Sequence, residues 1–273
     1  MAKGLVAKKS YFAAVQCLDI DTVNAYLAQG GDINTQDDVG NNLFWHLATM
    51  VYPDTLLRLE LVNFAAQLMA LGIDAKQHNK WGISPVYEAV GMGFYELVEI
   101  MTKQGIKLTD HISLNEFLFY KWPRHPSRQQ RQDFPHVLTL LLNEKPSLTA
   151  TYQEHRHLLP LQIACKEGAT QAILQLLAAE AEPNLVAAKH GLGSRVSPIE
   201  SLCNLAYRAK RECYEAIDAL LRAGANPNQF SQDDTQATNS KPALVWAVIY
   251  GGNTPKVVER LLKAGAQPRL KDY

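Results

Sequence analysis

The chain has 273 residues, 47% of them hydrophobic, with 27 Lys or Arg against 27 Asp or Glu and four cysteines. That apolar content excludes an intrinsically disordered chain. The zero net charge excludes the global basic field with which nucleic-acid binders gather phosphates, and no apolar run reaches the ~18 residues of a membrane-spanning helix.

In chain order, the first segment sets a helix marked by Ala13-Ala14 before a second helix that ends in Leu27-Ala-Gln-Gly30-Gly-Asp-Ile-Asn34. Three lysines precede its apolar stretch Tyr11 to Leu18, but Asp19 follows without a small-residue cleavage site, so it is not read as a secretory signal. The second segment has a short helix around Ala48, an insertion at Val51 to Leu59 expected to separate its two helices, and a close at Leu71-Gly72-Ile-Asp-Ala75. In the third, Ser84-Pro85 opens a short helix through Ala89-Val90; the serine can cap the free amides and the proline occupies the first turn without losing a hydrogen bond. Leu97, Val98, Ile100 and Met101 then make one apolar stripe that ends at Gly105. The fourth carries an insertion at Lys121 to Asp133 and closes, without glycine, at Asn143-Glu-Lys145-Pro. The fifth runs through Ala164-Cys165 and the stripe Ile173, Leu174, Leu176, Leu177 to Ala179-Glu180-Ala-Glu-Pro-Asn184, again without glycine. Ser197-Pro198 opens the sixth, which has insertions at His190 to Val196 and Asn204 to Arg211 and closes at Gly224-Ala-Asn-Pro-Asn228. The seventh has an insertion at Phe230 to Lys241, then Ala247-Val248 and the stripe Val257, Val258, Leu261, Leu262, and closes at Gly265-Ala-Gln-Pro268.

Glycine recurs at these helix ends because one residue there commonly takes the left-handed conformation, which strains a side chain with a Cβ. With Lys145 and Glu180 as its equivalents, successive intervals from Gly30 are 42, 33, 40, 35, 44 and 41 residues, a base period near 33 with insertions.

These residues resemble the ankyrin family, whose repeat runs D-x-x-G-x-T-P-L-H-x-A-A-x-x-G, then a longer helix with paired leucines, then G-A-x-x-N. The clearest copy is Asn79-Lys-Trp-Gly82-Ile-Ser-Pro85-Val-Tyr-Glu-Ala89-Val-Gly-Met-Gly93, and the next is Leu159-Pro160-Leu-Gln-Ile-Ala164-Cys-Lys-Glu-Gly168. The resemblance implies an all-α ankyrin-repeat solenoid of about seven helix-turn-helix units with short hairpin turns, with approximate bounds 1–36, 37–77, 78–109, 110–151, 152–187, 188–229 and 230–273. The family's T-P-L-H histidine is read as surviving at His46 and replaced by Tyr87, Gln162, Glu200 and Val245, which implies less uniform stacking than in a consensus array.

Catalytic and metal motifs are missing: there is no H-E-x-x-H, P-loop, G-x-S-x-G or S-x-x-K. Cys17, Cys165, Cys203 and Cys213 are too sparse for a disulfide scaffold and lack zinc spacing, so they are expected to pack as small apolar residues in a reducing, cytoplasmic compartment. Cys165 has His155 and His157 nearby in sequence, but it stands at a repeat alanine, where a buried thiol is a poor nucleophile. The expectation is therefore a monomeric, non-catalytic scaffold for a protein partner, with no cofactor, metal or membrane insertion.

What the resemblance implies about the binding surface falls on the variable tip and short-helix positions along the inside of the curve. These are Asp38, Val39, Asn41, Thr49 and Met50; Lys80, Trp81, Ile83 and Met92; and His155, Arg156, Lys166 and Glu167. Trp81, flanked by Lys80 and faced by Met92, is the expected anchor, since aromatic residues dominate binding hot spots. An alternative is a phosphate or nucleic-acid site on the stretch Lys121, Trp122, Arg124, Arg128 and Arg131, which has four fixed positive charges and no acid; another is a divergent enzyme hidden in the insertions. Ser10 to Leu57 holds six Asp and no Lys or Arg, a polarity that can steer a basic partner. The Gln-, Asn- and His-rich loops also resemble ankyrin effectors that intracellular bacteria deliver by type IV secretion, which implies a host protein as partner and the host cytosol as destination.

Overall fold

The structure, a computed structural model, describes residues 8–50, 55–122, 128–151, 157–187, 196–205, 212–229, 242–249 and 255–268. Among them every regular element is helical. In chain order these are α1 (Lys8–Cys17), α2 (Ile20–Ala28), α3 (Leu43–Ala48), α4 (Thr55–Ala70), α5 (Pro85–Met92), α6 (Tyr95–Lys103) and α7 (Leu114–Glu116), which runs into a π-helical turn over Phe117–Lys121. Then come α8 (Arg128–Asn143), α9 (Pro160–Glu167), α10 (Thr170–Ala178), α11 (Pro198–Leu205), α12 (Glu212–Arg222), α13 (Ala243–Ile249) and α14 (Pro255–Lys263). They fall in two compact units, one within Met1–Ile112 and Arg128–Glu144, the other within Ser113–Ser127 and Lys145–Tyr273.

Inside each unit a short helix packs on the longer helix that follows it, and both pack on their counterparts in the next pair: α3 on α5 and α4 on α6 in the first unit, α9 on α11 and α10 on α12 in the second. Small side chains allow this close approach. Ala89, Ala164 and Cys165 are fully buried, as are Leu97, Val98 and Met101 of the α6 stripe and Ile173 and Leu176 of α10.

The short helices start as the sequence suggests. Ser84 Oγ accepts the Tyr87 amide at 3.1 Å, Ser197 Oγ accepts the Glu200 amide at 3.2 Å, and Asn42 Oδ1 accepts the Trp45 amide at 3.0 Å. This shared cap register corrects the histidine reading. Counting from the cap, the position of Tyr87, Gln162, Glu200 and Val245 is filled by Trp45, and His46 lies one residue later. Two of the substitutes still tie neighbouring pairs together: Gln162 Nε2 donates to the Val196 carbonyl at 2.8 Å, and Glu200 Oε1 accepts the Trp246 indole N–H at 3.3 Å.

The longer helices end as the glycine pattern requires, including the two that lack glycine: φ is +54° at Lys145 and +65° at Glu180, beside +79° to +90° at Gly30, Gly72, Gly105, Gly224 and Gly265. Just beyond three of these ends, Asn34, Asn184 and Asn228 each clamp the next pair, the side-chain amide donating to a glycine carbonyl (Gly72, Gly224, Gly265) while its oxygen accepts the amide two residues further on, at Asp74, Asn226 and Gln267.

The insertions differ from expectation. The segments Val51 to Leu59 and Lys121 to Asp133 do not simply loop out: part of each is helix, so α4 and α8 have 16 residues where α2, α6, α10 and α14 have 9. The added N-terminal turns of α4 and α8 carry Arg58 and Asp133, both buried. Arg58 Nη1 donates to Asp133 Oδ2 at 2.8 Å, its Nη2 donates to Glu96 of α6, and its guanidinium lies 4.9 Å from the Phe94 ring centroid. One cation thus joins three successive long helices.

Candidate protein-binding surface

Two consecutive hairpin tips, Asp37–Asn41 and Asn79–Ile83, are built alike. Asp37 Oδ1 accepts the amides of Val39 and Asn41 at 2.9 Å, and Asn79 Oδ1 accepts those of Trp81 and Ile83 at 3.0 Å. Each tip is closed by paired backbone bonds, Asp37 to Asn41 and Asn79 to Ile83, with Gly40 and Gly82 donating back to the first residue.

The tips are also fastened to each other. The Lys80 amide donates to the Val39 carbonyl at 3.1 Å, Asn79 Nδ2 donates to Asn41 Oδ1 at 2.9 Å, and Lys80 Nζ donates to the Asp38 carbonyl at 2.5 Å. Gly40 permits this approach: its φ is +90°, and a Cβ there would stand 3.1 Å from the Lys80 nitrogen. His46 Nε2 lies 3.0 Å from Asp37 Oδ2, so the histidine braces its own tip. The Asp37 carboxyl sits below its ordinary value; burial pushes it up, but the hydrogen bonds from Asn41 and Val39, with His46 nearby, outweigh that.

Among the expected binding residues, Asn41 is redirected. It is only 4% exposed, because its side chain is the link between the tips, so it cannot face a partner. Asp38 and Lys80 are exposed, and Trp81 is 66% exposed. Val39, Thr49, Met50, Ile83 and Met92 are half-buried.

In the second unit Lys166 is exposed and Glu167 half-buried, while His155 and Arg156 lie outside the described residues. Of the alternative basic set, Lys121 is half-buried in the second unit and Arg131 is exposed on α8 in the first; Arg124 and the Arg128 side chain lie outside the described residues. Sequence reasoning missed Phe119 and Tyr120, which end the fourth short helix beside Lys121. The available signal was Trp122, which stands where the third and fifth short helices have Gly93 and Gly168.

Cys165 and Cys203 are fully buried, and burial raises both thiols well above their ordinary value, which leaves little thiolate for nucleophilic chemistry. Among the described residues no group of three or more His, Cys, Asp or Glu is placed to hold a metal ion, and no helix is long and apolar enough to cross a membrane.

Capped short helices, longer helices ending in left-handed residues, and cross-linked hairpin tips define the ankyrin repeat fold. Comparison with solved structures agrees: the chain is similar to the crystal structure of the human ASB11 ankyrin repeat domain, with 18% identity and a TM-score of 0.58 over 94% of this chain and 98% of that one. It is also similar to an ankyrin repeat domain from Acinetobacter baumannii AYE, with 18% identity and a TM-score of 0.43 over 96% and 100% of the two chains. No protein-family model and no curated protein matches the sequence.

Proposed function

We propose that the chain is a protein-binding scaffold and that its first unit engages a partner through the adjoining tips, with Trp81 as anchor and Asp38, Lys80, Ile83, Met50 and Met92 around it. The observation that supports this most is an indole left 66% exposed on a tip whose backbone is hydrogen-bonded within itself and to the preceding tip. A large ring held on a rigid support loses little entropy on binding and contributes its full apolar area, which is the character of interface hot spots. Lys166 and Glu167 are candidates of the same kind on the second unit, considered by itself, and Arg156 is a candidate by the repeat pattern alone.

The test is affinity capture on the immobilised chain, followed by titration of the captured protein against the native chain and Trp81→Ala. Binding is expected to weaken by about 2 kcal/mol or more, with the melting temperature unchanged. Normal binding by Trp81→Ala, together with loss of binding when Arg124, Arg128 and Arg131 are replaced, moves the site to the basic stretch. The finer reading, an effector acting on a host protein, is supported by loop composition, and a translocation reporter fused to the chain tests it directly.

A further inference from the structure

We infer that Ser84, His111 and His78 form a proton-sensitive latch in the first unit, which holds the turn after α6 against the start of α5 at neutral pH and releases it in mild acid. That turn is a single 3₁₀ turn, Leu108–Asp110, packed on α5; His111 and Ile112 follow it, their amides donating to the Leu108 carbonyl at 2.9 and 3.0 Å. Leu108 and Ile112 are buried. The turn is fastened at two points. At its start Glu144, just beyond α8, accepts the Leu108 and Thr109 amides at 2.7 and 2.9 Å. At its end the His111 ring meets Ser84, Nδ1 to Oγ at 2.9 Å.

Counting hydrogens fixes the direction of the second bond. Ser84 Oγ already accepts the Tyr87 amide as the cap of α5, and Ser84 is only 1% exposed, so its one hydroxyl proton needs an acceptor within the protein. His111 Nδ1 is the acceptor in reach. The ring is therefore neutral, with its own hydrogen on Nε2. A proton added to the ring makes Nδ1 a donor, turns the bond round and leaves the Ser84 hydroxyl proton unpaired where water does not reach it.

The surroundings oppose that proton as well. His78, from the hairpin before α5, stacks on His111 with 5.7 Å between centroids and 24° between planes, so a charge on one ring disfavours a charge on the other. Lys76 adds a cation from the same hairpin, while Asp74 there and Asp110 in the turn pull the other way. Glu144 is committed to the two backbone amides, and α5 carries Glu88 in its first turn. Burial first, then His78, outweigh the carboxylates, and the His111 pKa lies below its ordinary value of 6.5. With the folded value lowered, the latch contributes fully above about 6.5 and its contribution is lost as pH falls below that, because the open form takes up the proton more readily.

Hydrogen exchange of the full chain, read by mass spectrometry about one pH unit either side of 6.5 and corrected for the intrinsic change of rate, tests the latch. Peptides covering Tyr87 and His111–Ile112 are expected to lose protection several-fold on acidification, within the limit of about tenfold that one proton sets over this range, while peptides covering Leu97–Met101 of α6 keep theirs. His111→Asn, whose Oδ1 can accept the Ser84 proton and does not titrate, should remove the response, and His136→Asn on α8 should leave it. His78→Gln should make the loss smaller, because the closed latch then resists the proton less. Titration of the imidazole protons by nuclear magnetic resonance on the native chain guards against a misfolded variant: the His111 midpoint is expected below about 6.5. Unchanged protection, an equal response in His111→Asn, a response lost in His136→Asn, a loss spread evenly through the unit, or a His111 midpoint at or above about 6.5 overturns the inference. The Trp81 ring takes no part in these readings, so the latch and the binding surface can fail independently.

Discussion

Replacing Arg58 with methionine probes what holds the first unit's long helices together. Arg58 is 4% exposed, and its partner Asp133 has a side chain only 6% exposed, so deleting the cation leaves a carboxylate out of water without this counter-charge. Removing one member of a buried ion pair costs about 3–5 kcal/mol. The second bond, to Glu96, adds less than about 1 kcal/mol because that carboxylate is 39% exposed and solvent can replace the guanidinium. Methionine retains much of the arginine stem, so the packing loss beside Phe94 is small. Urea denaturation followed by circular dichroism should then show Arg58→Met destabilised by about 3–5 kcal/mol, a large part of the ~5–15 kcal/mol that typically separates folded from unfolded chains. The double variant Arg58→Met, Asp133→Leu removes both buried charges and should recover much of the loss. A single variant that loses under ~1 kcal/mol, or a double variant no better than the single one, refutes a structural role for the buried charge.

Two further outcomes follow from the same physics. Asp37 has a depressed folded pKa, so its stabilising contribution is present above its unfolded value near about 4 and lost as pH falls through the folded value. Asp37→Asn keeps the acceptor that Asn79 already provides in the next tip, and should flatten the fall of melting temperature on the acid side; an unchanged acid limb counts against the assignment. At Glu180, an exposed residue at φ +65°, glycine removes left-handed strain on the order of 1 kcal/mol, so Glu180→Gly should raise stability by roughly 0.5–1 kcal/mol while Glu180→Ala does not. A destabilised Glu180→Gly variant would mean that the side chain matters more than the backbone.

Local rules were legible in the sequence because they depend on single residues. Gly30, Gly72 and Gly224 announce left-handed helix ends, and the spacing alone located Lys145 and Glu180 as their counterparts without the usual residue type. Ser84 and Ser197 cap where their prolines said they should. The features that were not legible depend on pairs brought together only by folding. Val51 to Leu59 looked like an insertion because a helix lengthened at its start has the same residue count as a loop, and only the burial of Arg58 against Asp133 distinguishes them. Asn41 reads as a binding residue because the repeat pattern makes it a variable tip position, whereas here its side-chain oxygen accepts from the neighbouring tip. His46 passes in the sequence for the family's histidine because it stands a single position from a register that holds no histidine.

The missing histidine bears on how the surface can carry a residue as large as Trp81. The loss of T-P-L-H implies less uniform stacking than in a consensus array. Each tip is instead ordered from within, by the Asp37 or Asn79 carbonyl-type oxygen that gathers two backbone amides, and from the side, by the backbone bond between Lys80 and Val39. In these contacts Trp81 contributes its amide and not its ring. Its side chain is therefore released from any part in forming the tip, and an exposed indole there costs the fold little beyond its own hydration. The same separation is why Trp81→Ala should cost binding and not melting temperature: the interactions that shape the surface and the side chain offered on it are different atoms of the same tip.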